Sequence, residues 1–166
     1  MRKGFTLLEL IIVIIVFVII AGSAMWFFAV GLRTWLSGMD RTEIRHDSAL
    51  AMERMVRELT QTKSITIAQE DAITFIADVN DDGADESINL TTVAGNLERK
   101  VTGVGTILAR NVSNFQLAYY DLNDDLLSFP VLGADRDNVR VIEITLTMNK
   151  ADETIVLSSG AYARNQ

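Results

Sequence analysis

From Leu10 to Leu32 the chain runs for 23 residues without a charged side chain. As a helix this run is roughly 34 Å long, enough to cross a hydrocarbon core of ~30 Å with a little tilt. Arg2 and Lys3 lie ahead of it, and one acid, Glu9, stands at its leading end. Two ordinary readings compete. A secretory signal peptide also has a basic start and an apolar stretch, and Gly22-Ser23-Ala24 resembles its small-residue cleavage site. The run continues past that site through Met25, Trp26, Phe27, Phe28 and Val30, whereas a signal peptide's apolar region spans ~7–15 residues. A plain membrane anchor fits the length but leaves the carboxylate unexplained. An acid near the middle of a spanning helix costs ~2.5–3.5 kcal/mol on insertion scales, and less toward the end. An intramembrane acid is by default a functional residue, and its natural partner is a cation at similar depth.

The motif Gly4-Phe5-Thr6-Leu7-Leu8-Glu9-Leu10, behind a short basic leader and ahead of the long apolar run, closely resembles the start of type IV pilins and of type II secretion pseudopilins. The resemblance implies that prepilin peptidase cuts between Gly4 and Phe5 and methylates the new amine of Phe5. It also implies that Glu9 neutralises the amine of a neighbouring subunit's Phe5 in the filament. Such a pair acts as a register device, because a subunit docked at the wrong height leaves two charges buried and unpaired, at ~3–5 kcal/mol. The implied partners are other pilin or pseudopilin subunits, the peptidase, an assembly platform in the inner membrane, and the membrane itself. The implied location is the inner membrane, with the amino terminus cytoplasmic and the globular part outside, and afterwards the filament. The basic leader agrees with the positive-inside rule.

Composition narrows the rest. Fifteen Lys and Arg against 22 Asp and Glu give a net charge of −7, and loss of Arg2 and Lys3 with the leader makes it −9. That balance disfavours nucleic acid, whose phosphates need a basic footprint. The chain has no cysteine, so the disulfide that many pilins of Gram-negative bacteria carry is missing and stability must come from core burial. One histidine, His46, and no Ser-His-Asp order or phosphate-binding glycine loop leave no enzyme constellation.

Beyond Arg33 the helical pattern becomes amphipathic. Met52, Met55, Val56 and Leu59 share one face, and Glu53, Arg54, Arg57 and Glu58 lie elsewhere around it, forming opposite-sign i, i+4 pairs. The expected helix runs from about Thr6 to about Thr60. No proline occurs before Pro130, and Gly22 is a place in the first half where local melting or bending is permitted.

From Ser64 the period becomes two. Ile73, Phe75 and Ala77, then Ile88 and Leu90, then Phe115, Leu117 and Tyr119 read as buried faces of strands. Ile142, Ile144, Leu146 and Met148 mark the clearest strand, followed by a turn at Asn149 to Asp152 and a strand over Thr154 to Ser158. Gly95, Gly103 and Gly105 read as a loop-rich middle. The expected fold is α+β and pilin-like, a long amino-terminal helix packed on an antiparallel sheet. The expected division is a leader at 1–4, a transmembrane and filament-core helix at 5–32, an amphipathic helix at 33–63, and a β-rich globular domain at 64–166.

Two acidic turns stand out. Asp78-Val79-Asn80-Asp81-Asp82-Gly83-Ala84-Asp85-Glu86 begins with the D-x-N-x-D-G spacing of a calcium loop. Asp78, Asn80, Asp82 and Asp85 are the candidate Ca2+ ligands, and some pseudopilins are calcium-stabilised. Against an EF-hand, Asn89 stands where a bidentate Glu belongs, and as a hairpin tip the segment needs no ion. Asp121-Leu122-Asn123-Asp124-Asp125-Leu126 repeats the spacing without the glycine and reads as a second turn. Weaker likenesses at Met52 to Leu59, Tyr119-Tyr120-Asp121, Ile142 to Met148 and Ala163-Arg164-Asn165 resemble the larger minor pseudopilins and minor pilins. The functional expectation is a minor structural subunit of a type IV pilus or a type II pseudopilus. Alternatives are a filament-borne binding or adhesion module and a membrane-anchored calcium-binding protein that never assembles.

Overall fold

The computed structural model describes residues 6–151 and 153–163. One continuous helix, α1 (Leu7–Thr60), is followed by eight strands: β1 (Ser64–Ala68), β2 (Ala72–Ala77), β3 (Glu86–Val93), β4 (Asn96–Val101), β5 (Val104–Ala109), β6 (Val112–Tyr120), β7 (Val141–Lys150) and β8 (Glu153–Tyr162). A 3-10 helix over Gly133–Asn138 lies between β6 and β7. The long helix followed by antiparallel strands is the expected α+β, pilin-like arrangement. Helix continues without interruption through Gly22-Ser23, where the Ser23 hydroxyl donates to the Ile20 carbonyl at 2.9 Å.

The chain divides into two compact units, Met1–Asp40 and Arg41–Gln166. In the first, α1 is apolar and its large side chains are exposed from Leu7 to Met39. An 18-residue window of this helix has a mean hydropathy of 2.9, and none of it is buried. Surface of that kind needs lipid or protein around it.

The second unit holds the whole buried apolar core, which begins at Ile44 and ends at Ala163. Ile44, Ala51, Met55 and Leu59, with Met52 three residues before Met55, form one stripe of α1 at the spacings of three, four and seven that a core-facing helix requires. Two sheets supply the strand part of this core, where a single sheet was expected. β1 to β5 form a five-stranded meander, and β6-β7-β8 form a separate three-stranded sheet. The chain leaves the first sheet at Arg110-Asn111, with Asn111 at φ 58°, and β6 then pairs with β7.

The period-two readings correspond to buried faces. Ile73, Phe75 and Ala77 of β2, Ile88 and Leu90 of β3, Phe115, Leu117 and Tyr119 of β6, and Ile142, Ile144, Leu146 and Met148 of β7 are all buried. The glycine-marked middle is a correction. It contains two strands, β4 and β5; Gly95 and Gly103 sit in two-residue hairpin turns, and Gly105 lies within β5 opposite Lys100. Ala94-Gly95 has φ 49° and 74°, and Thr102-Gly103 has φ 47° and 88°. Positive φ at both central residues matches the right-handed twist of the flanking strands. The β7–β8 hairpin is also tighter than expected, since pairing runs to Lys150 opposite Glu153.

Candidate functional site

The sequence places the assembly chemistry at the start of α1. Gly4 and Phe5, the expected cleavage and methylation positions, lie outside the described residues. Thr6 precedes the first helical residue, and its hydroxyl oxygen accepts from the Glu9 backbone N–H at 3.3 Å. Thr6-Leu7-Leu8-Glu9 has the spacing of a capping box, a signal present in the sequence that adds to Glu9 a local role in starting the helix. The Glu9 side chain is exposed in the first turn, where a carboxylate is favoured by the helix dipole. It is the one acid among thirteen exposed apolar neighbours, from Leu7 and Leu8 on one side to Ile20 on the other.

The first acidic turn joins β2 to β3, and most of its polar side-chain atoms are hydrogen-bonded within it. Asp78 Oδ2 accepts from Gly83 N at 3.0 Å, Asn80 Oδ1 from Asp82 N at 3.1 Å, and Asp82 Oδ1 from Ala84 N at 2.7 Å. Asn80 Nδ2 also donates to Asp82 Oδ2 at 2.9 Å, and Asp85 is ion-paired with Lys63. Asp81 at φ 58° and Gly83 at φ 84° complete the turn. Asp78 Oδ1 is buried and has no hydrogen-bond partner, but calcium takes six to eight oxygens converging on one point. Among the described residues no group of three or more His, Cys, Asp or Glu side chains is arranged to hold a metal ion. The proposed set Asp78, Asn80, Asp82 and Asp85 therefore fits a hydrogen-bonded hairpin tip and does not fit a calcium shell.

The second acidic turn is organised by one residue. Asp121 Oδ1 accepts from Asn123 N at 2.7 Å and from Asp125 N at 3.0 Å, and Asp121 N donates to the Asp125 carbonyl at 3.1 Å. Those backbone donors hold the Asp121 carboxyl below its usual range. Leu126 then bridges back to Tyr120.

One polar constellation was not anticipated. Glu58, read from helical spacing as lying off the apolar face, is buried at 4% exposure. Its Oε2 accepts from Arg99 Nε at 2.7 Å, and its Oε1 from Arg54 Nε at 3.0 Å. Arg99 comes from β4, 41 residues away, and is itself 7% exposed. The i, i+4 pair was legible, and the third member was not. Tyr119 is likewise buried, donating its hydroxyl to the Gln69 carbonyl at 3.0 Å, and burial pushes its pKa upward. These groups fix the fold of the second unit.

Residues 1–25 match the family model of the prokaryotic N-terminal methylation motif. No curated protein matches the chain. The motif lies on an apolar helix long enough to span a membrane and is followed by antiparallel sheets, and together these support the type IV pilin and pseudopilin family.

Proposed function

We propose that this protein is a minor structural subunit of a type IV pilus or of a type II secretion pseudopilus. Prepilin peptidase cuts between Gly4 and Phe5 and methylates the Phe5 amine. The segment from Leu10 to Leu32 holds the subunit in the inner membrane, domain outside, until the assembly platform passes it into the filament. There its apolar surface packs against the same segment of neighbouring subunits, and Glu9 receives the charged amine of an adjacent Phe5. The observation that carries this reading is a membrane-length helix with exposed apolar side chains and a lone carboxylate in its first turn, within the matched motif.

The test has two parts. Mass spectrometry of the mature chain should find an N-methylated Phe5 at its amino terminus. Glu9→Ala should be cut and methylated normally but fail to enter sheared filaments. A mature terminus elsewhere, or wild-type incorporation of Glu9→Ala, overturns the proposal. Counting copies per filament tests the minor role, for which a few copies are expected.

A further inference from the structure

The outer face of the three-stranded sheet carries a groove of about 400 Å³ beside β8. Pairing registers place Ala118, Glu143 and Gly160 in one row across β6, β7 and β8, and Tyr120, Val141 and Tyr162 in the next. Small residues therefore stand on both sides of Glu143, and two tyrosines rise at one end. Tyr120 donates its hydroxyl to Glu143 Oε2 at 3.0 Å, holding the carboxylate in place, and Asp124 adds a second acid to the lining. No basic residue lines the groove among the described residues.

Gly160 keeps this groove open. Its φ lies outside the left-handed region, so the backbone does not require glycine, and an added Cβ would meet only Val141 Cγ1 at an ordinary 3.8 Å. A glycine within a strand that neither twist nor crowding explains often marks the close approach of a ligand or another backbone.

β8 is also the terminal strand of its sheet. Natural edge strands are blunted by charges, prolines or bulges. From Thr154 to Tyr162 this one has neither charge nor proline, and its ten-residue register with β7 is unbroken. Its free backbone groups are a template for another strand.

We propose that the β8 edge and the adjoining Glu143 groove form a docking site for an extended segment of a partner polypeptide. The segment adds as a strand along Thr154–Tyr162 and places a Lys or Arg side chain between Tyr120 and Tyr162, against Glu143 and Asp124. Backbone pairing supplies affinity, and the acidic, aromatic-walled groove selects the cation, by charge and by contact with the ring faces. The site lies wholly within Arg41–Gln166, so it stands whether or not the chain assembles as proposed above.

The probe is a randomised nine-residue peptide library displayed on phage, panned against the full-length chain in lipid nanodiscs. Enriched peptides should be β-prone with a Lys or Arg at one position, and synthetic versions should slow amide exchange across Thr154–Tyr162. Replacing the basic residue by norleucine, or introducing Glu143→Gln, should weaken binding roughly tenfold, as loss of a charge-assisted hydrogen bond does. Gly160→Val, whose β-branched side chain suits a strand, should abolish binding with an unchanged melting curve. The proposal is overturned by a library without basic enrichment, by protection that misses β8, or by equal binding to Gly160→Val. Binding only after removal of residues 164–166 would give the groove to the chain's own end. A dimer joined through β8 would give the edge to a second copy. Either result also overturns it.

Discussion

Removing Arg99 should destabilise the domain far more than removing Arg99 and Glu58 together. The Arg99 side chain is 9% exposed and that of Glu58 5%, and their contact at 2.7 Å ties α1 to β4. Arg99→Ala leaves a carboxylate in the interior, where an unpaired charge costs ~3–5 kcal/mol. Arg54 remains 3.0 Å from the other oxygen, but its side chain is 41% exposed and its charge is partly screened by solvent. That residual partner points to the low end, ~3 kcal/mol. For a domain of this size each kcal/mol shifts the melting temperature by roughly 4 °C, so the single variant should melt about 12 °C lower. Replacing both partners with apolar residues, Glu58→Leu with Arg99→Met, removes the desolvated charges and should cost under ~1 kcal/mol. The assay is thermal and urea unfolding of the fragment from Arg41 to Gln166, which contains every buried core residue from Ile44 onward. A loss below ~1 kcal/mol for Arg99→Ala, or a double variant as unstable as the single one, would refute the pairing argument.

The acidic turns make two further predictions. Asp121 is held charged by two backbone N–H donors, so its folded pKa lies below the unfolded value. Its stabilisation is therefore complete above the unfolded pKa and is lost as pH falls through the folded one. NMR titration should find the Asp121 carboxyl ionising below an ordinary aspartate, and Asp121→Asn should flatten the acid limb of the stability curve. A titration midpoint at or above ~4 contradicts this. Millimolar calcium should leave the melting temperature of the same fragment unchanged, because most oxygens of the Asp78 to Asp85 turn already accept hydrogen bonds within it, and Asp85 pairs with Lys63. A rise of several degrees would reinstate the metal site. Gly103→Ala places a side chain at φ 88° with open space around it, so backbone strain alone should cost ~1–2 kcal/mol in urea unfolding. No measurable change would mean that the β4–β5 turn is not of this type.

Strands with one buried face were legible in the sequence because burial alternates with the pleat. Ile73, Phe75 and Ala77 are inside, and Thr74 and Ile76 are not. β4 and β5 escaped for opposite reasons. In Asn96–Val101 the alternation is carried by Leu97 and Arg99, and a buried arginine breaks the pattern of apolar residues. In Val104–Ala109 four of the six residues are exposed, which leaves no alternation to see. The glycines around them then read as loop, although Gly95 and Gly103 mark two-residue turns and Gly105 is a strand residue. Glu58 was misplaced because its burial depends on Arg99, a partner 41 residues away that helical spacing cannot show. At the amino terminus Glu9 was legible because it is one charge beside an uncharged run. Its Thr6 partner needed only the capping spacing.

The outer groove was not legible in the sequence at all. Its residues come from three strands and a turn, and in each strand they are the unremarkable alternates to the buried face. Ala118, Glu143 and Gly160 become a row only through two registers set elsewhere, by Leu117, Ile144, Leu146 and the core stripe of α1. A slip of one residue would turn Glu143 into the core and Ile142 to solvent, so burial fixes the groove's geometry as firmly as it fixes the fold. The groove's own residues are then free of any packing duty. Within Thr154–Tyr162, Ile155, Leu157 and Ala161 pack on the core, but glycine at 160 and the lack of charge on the outward residues are not required by that packing, and both weaken or expose a strand that charge and a larger side chain would protect. Glu9 stands in the same relation to its helix, contributing a modest amount to capping and costing more in lipid than it returns. On the readings proposed above, a second polypeptide offsets the local cost at both places.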